Sequence, residues 1–118
     1  MSKTFTYGEF TKELDLLDYE CMGKIEDAMD AFTERYDKAT QEERQSDKMK
    51  GCIHAIAELF DKSLGDDASN KILGKKTNLE EALDAEKAFV DFVKEQSEEA
   101  EKKYSASLPN RAQRRTKR

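Results

Sequence analysis

In three stretches of this chain the apolar residues return every three or four positions, and no other feature constrains the fold as tightly. Tyr19, Met22, Ile25, Met29, Phe32 and Tyr36 make one row. Met49, Cys52, Ile53, Ile56, Ala57, Phe60 and Leu64 make a second, with Leu59 on its flank. Leu79, Ala82, Leu83, Phe89, Val90, Phe92 and Val93 make a third. An α-helix puts residues three and four apart on one face, so each row reads as the buried stripe of an amphipathic helix. Around these rows the chain is 40% charged and only 36% apolar, against about 25% and roughly 45–50% in an average domain. Helices with wide solvated faces account for that shift, whereas a disordered chain would lack the period.

Local signals set the boundaries. Phe5, Tyr7, Phe10, Leu14 and Leu16 alternate loosely around Gly8-Glu9, which predicts a small β-hairpin. An isolated hairpin is marginal in water, so its aromatic face must lie on the helices. Asp18 is placed to cap the first helix. Thr40 with Glu43 has capping-box spacing and is expected to open the second, which Gly65 closes. Gly51, inside that helix, is unfavourable by about 1 kcal/mol relative to alanine, and marks a bend or a close backbone contact. Asp66 to Leu73 reads as a short helix closed by Gly74, and Asn78 with Glu81 opens the last one. From Lys94 to Ser105 only Ala100 and Tyr104 are apolar. A helix from 79 to 105 is about 40 Å long, so its second half is expected to project as a charged arm.

The predicted fold class is mainly α: a small N-terminal β-hairpin, three main helices and one short helix, the C-terminal helix being long. At 118 residues this is one domain, large enough to bury roughly 65% of its unfolded surface. It is placed at residues 1–105, followed by a basic tail, 106–118, expected to be disordered. Five of the 21 basic residues lie in the last nine positions, which leaves 16 against all 26 acidic residues before them, a formal −10. Arg111, Arg114, Arg115, Lys117 and Arg118 are the candidate partner-binding residues.

Motifs for chemistry are missing. Gly74-Lys75-Lys76-Thr77 is no phosphate loop, because Ser69 stands at the first glycine position and Lys76 where the hydroxyl belongs. A calcium loop starting at Asp61 fails at Ser63, Gly65 and Ile72. His54 is the only histidine, so a two-histidine metal site cannot form, and it is expected to be structural. Cys21 and Cys52 are expected to be free thiols, since metal sites show paired short spacings. The acids fall on polar helix faces, where solvation keeps them ordinary, and no enzyme or cofactor is expected. The amino terminus lacks a signal peptide's apolar run and no stretch nears the roughly 20 residues of a membrane span, so the expected place is the cytoplasm. The tail has no interleaved aromatics for base stacking and the acidic body repels polyanions, so specific nucleic-acid binding is not expected.

Several short segments carry a likeness. Phe5-x-x-Gly8 leads into Glu13-Leu14-Asp15-Leu16-Leu17-Asp18; Leu59-Phe60, Leu64-Gly65, Lys71-Ile72-Leu73-Gly74 and Lys76-Thr77-Asn78-Leu79 follow. Ala88-Phe89-Val90, Glu95-Gln96 and Asn110-Arg111-Ala112-Gln113-Arg114-Arg115 complete the series. Together they resemble a family of small prophage proteins of Gram-positive bacteria, and the basic ending is similar to that of phage tail assembly chaperones. The resemblance implies a protein of the bacterial host's cytoplasm that coats the tape-measure protein, keeps it soluble and recruits tail-tube subunits. Two alternatives stay open: a counter-defence inhibitor using the acidic surface, and a nucleic-acid-binding accessory protein using the tail. A homo-oligomer is compatible with each.

Overall fold

The computed structural model describes residues 2–104. They form β1 (Ser2–Tyr7), β2 (Phe10–Asp15), α1 (Tyr19–Ala39), α2 (Gln45–Leu64), α3 (Ala68–Leu73) and α4 (Leu79–Tyr104). The mainly helical class with an N-terminal hairpin is therefore the observed one. The tail at 106–118 lies outside the described residues.

The strands pair antiparallel from Ser2↔Asp15 to Tyr7↔Phe10, leaving Gly8 and Glu9 as the turn. Gly8 has φ 61° while Glu9 keeps a negative φ, the pattern of a type II′ turn, which favours glycine at its first central position. Asp18 caps α1 as expected, its side chain accepting from the Glu20 amide at 3.2 Å. Asn78 likewise accepts from the Glu81 amide at 3.0 Å and starts α4.

The capping box is corrected. Thr40 ends α1 rather than opening α2: its hydroxyl donates to the Asp37 carbonyl at 2.7 Å. The second helix starts at Gln45, with Arg44 in the cap position and no side-chain cap. The first helix runs this far because Ala39 is buried against α2, where a Cβ built on Gly51 would lie 2.7 Å from the Ala39 Cβ. Gly51 thus marks a close contact between helices.

The centre of the molecule is α2, which packs against α1, α3 and α4, and nine of its residues are buried. Phe60 and Phe89 meet edge to face at 5.8 Å. Phe5 brings the hairpin into that cluster, 5.3 Å from Phe89 and 5.4 Å from Phe92. The arm expected beyond Lys94 is corrected as well. Strand β1 runs beside it, Lys3 pairs with Glu99 at 3.6 Å, and Ala100 is buried. The hairpin needs a platform, and α4 supplies it almost to its end.

Candidate docking face

The rows that look alike in the sequence are covered to different extents. On α2 the row Cys52, Ile53, Ile56, Ala57, Phe60 and Leu64 is buried and only Met49 at its start is half-buried. On α1 only Ile25 of the expected row is buried; Met22, Met29, Phe32 and Tyr36 are half-buried at the edge of the core. Tyr19 is 83% exposed and Leu17 44%. Topology explains the difference. A middle helix is covered from several sides, whereas α1 packs chiefly on α2, with a lesser contact to β2.

Phe32 and Tyr36 lie side by side, ring centres 5.3 Å apart. Burial first, then the Cys52 side chain and the Glu86 carboxylate, raise the Tyr36 phenol above its ordinary value. Glu86 stands three positions from Leu83 and four from Val90, within a partly covered row of α4. Burial, and then the charge of Asp91, raise its carboxyl above the usual glutamate value. The remainder of α1 is acidic, with Glu20, Glu26, Asp27, Asp30, Glu34 and Asp37 against Lys24, Arg35 and Lys38. Of these cations, Arg35 reaches Glu58 of α2 at 2.9 Å and Lys38 pairs with Glu34 at 3.8 Å.

Gly74 to Thr77 is the turn from α3 to α4, with Lys76 at φ 58°. His54 is exposed on α2 and lines a cleft of about 390 Å³ with Met49, Ile53 and Lys76. Cys52 is buried, Cys21 is half-buried, and both are free thiols. Among the described residues no group of three or more His, Cys, Asp or Glu could hold a metal ion, and no helix is long and apolar enough to cross a membrane. Arg111, Arg114, Arg115, Lys117 and Arg118 lie outside the described residues. Glu86 escaped the sequence reading, although a carboxylate three positions after Leu83 and four before Val90 was its visible signal.

Fold and face together define a small hairpin-and-helix protein with an incompletely covered apolar row. The chain belongs to a family of unknown function (DUF6673), which matches residues 8–118. No curated protein and no solved structure matches it.

Proposed function

We propose that this protein binds phage tail proteins as a tail assembly chaperone does, holding a helical stretch of the tape-measure protein or a tail-tube subunit in the cytoplasm of the bacterial host. The observation carrying this reading is the half-covered row Met22, Met29, Phe32 and Tyr36 on α1. A helix that lies in a groove is held by anchors at such spacings, and methionine adapts to varied surfaces. The acids on α1 favour a partner helix with basic flanks. Arg111, Arg114, Arg115, Lys117 and Arg118 would add a second contact, to an acidic stretch of the partner.

The test is co-expression of the full chain with a phage tape-measure protein and with a tail-tube protein. The expected result is a tape-measure protein that stays soluble and co-elutes with this chain. Elution of both candidates without it removes the reading. The acids of α1 also suit an inhibitor that fills a basic nucleic-acid channel in a host enzyme. In that case reversing Glu26, Asp27 and Asp30 abolishes activity, while changes at Met29 or Phe32 leave it intact.

A further inference from the structure

In a chain of net charge −5, one cleft of about 390 Å³ is lined by no acidic residue. Met49, Lys50, Ile53 and His54 reach it from α2, and Lys76 and Thr77 from the turn before α4. Spacings of three and four put the α2 residues on one face of that helix. Gly51, two positions after Met49 and so roughly 200° around the helix, faces Ala39 of α1 instead. The cleft therefore opens on the side of α2 away from α1, apart from the row of Met29, Phe32 and Tyr36.

Its lining has two chemical parts. Ile53 is buried and Met49 half-buried, which gives an apolar floor, while Lys50, His54 and Thr77 are exposed at the rim. Lys50 and Lys76 form no ion pair with any described residue. Lys76 is half-buried, and its φ of 58° lies in the left-handed region that residues with a Cβ seldom occupy. A bare oxyanion would gain nothing from methionine and isoleucine, and a plain hydrocarbon nothing from two unpaired ammonium groups. The lining fits a ligand that carries an apolar group and carboxylates together.

We propose that this cleft docks an acidic peptide segment of a partner protein, which lays one aliphatic side chain on Met49 and Ile53 and sets carboxylates against Lys50 and Lys76. A fatty acid has a single carboxylate at one end, whereas lysines on two separate elements suit a segment with acids on both sides of its anchor. Complementary charge then fixes the register of the segment and rejects basic ones. This preference is opposite to that of α1, whose acids favour basic flanks, so the site does not depend on the docking reading.

The experiment titrates the full ¹⁵N-labelled chain with the acetylated and amidated pentapeptide EELEE at low ionic strength. Saturable amide shifts are expected at residues 49–54 and 74–77. The peptides EESEE and KKLKK are each expected to bind at least about tenfold more weakly, since one loses the buried aliphatic group and the other reverses the charge. Lys50→Gln and Lys76→Asn are each expected to weaken EELEE about threefold, the effect of one exposed ion pair. Lys50 is exposed and asparagine tolerates a positive φ, so both variants retain the fold. Hexanoate binding as tightly as EELEE assigns the cleft to small carboxylates and overturns the proposal. Shifts confined to residues 110–118 or to α1, equal affinity for EESEE, or unchanged affinity in both lysine variants overturn it as well.

Discussion

At Gly51 two local rules oppose each other, and a distance decides between them. Alanine in mid-helix is better than glycine by about 1 kcal/mol. Here the added methyl would lie 2.7 Å from the Ala39 Cβ and 3.4 Å from its Cα, so a helix rather than a side-chain tip must move. Overpacking of that kind is unfavourable by about 1–3 kcal/mol. Gly51→Ala is therefore expected to destabilise by about 1 kcal/mol in urea unfolding, and Ala39→Gly in the same chain should recover part of the loss. Glu86 gives the opposite sign. Its folded-state pKa is raised, so protonation favours the fold, and that contribution is lost as pH rises through the folded value. Glu86→Gln should thus stabilise at pH 7 by a few tenths of a kcal/mol, a small gain because solvent screens a half-exposed group. Unfolding curves repeated at pH 4 should show the gain shrinking, since the native carboxyl is then largely protonated.

Among the elements, α3 depends most on a distant residue. It is six residues long, too short to hold itself together, and Asp67 in its cap position makes no side-chain bond to the helix backbone. Asp61, at the end of α2, takes over by binding the amide and hydroxyl of the fully buried Ser69. Asp61→Ala leaves both donors unsatisfied, and a loss of about 2–3 kcal/mol is expected. Hydrogen exchange should place the lost protection in α3, with Asp61→Asn intermediate because it keeps one acceptor. This tie also marks how far sequence reasoning reaches. Asp18 and Asn78 were legible as caps because each bonds an amide two or three residues away. The Gly8 turn was legible for the same reason. Thr40 misled because the same hydroxyl can start one helix or end another, and burial of Ala39 settles which. The Asp61 cap and the path of β1 along α4 join residues no local pattern connects. The half-covered state of α1 belongs with them, since its row has the same period as that of α2.

For the molecule as a whole, the question is whether the row on α1 serves stability or binding, and the two uses leave different traces. A core position loses the same free energy however it is observed: Phe60→Ala, at a side chain with no exposure, should destabilise by about 3–5 kcal/mol and weaken every downstream activity with it. A half-covered position already contacts solvent in the free protein. Phe32→Lys can turn its ammonium group outward while the alkyl stem covers part of the same surface. Its loss of stability should be about 1 kcal/mol, in the ordinary range for a single substitution. If a tape-measure helix lies across Met29, Phe32 and Tyr36, the same change places a charge in a desolvated contact, and capture should fall at least tenfold, or about 1.4 kcal/mol. Thermal unfolding and co-purification of the two variants side by side separate these cases. Light scattering adds the remaining one: if a second copy covers the row, the wild type is a dimer and Phe32→Lys a monomer. Equal losses of stability and capture in Phe32→Lys would place α1 in the core and leave the docking face without support.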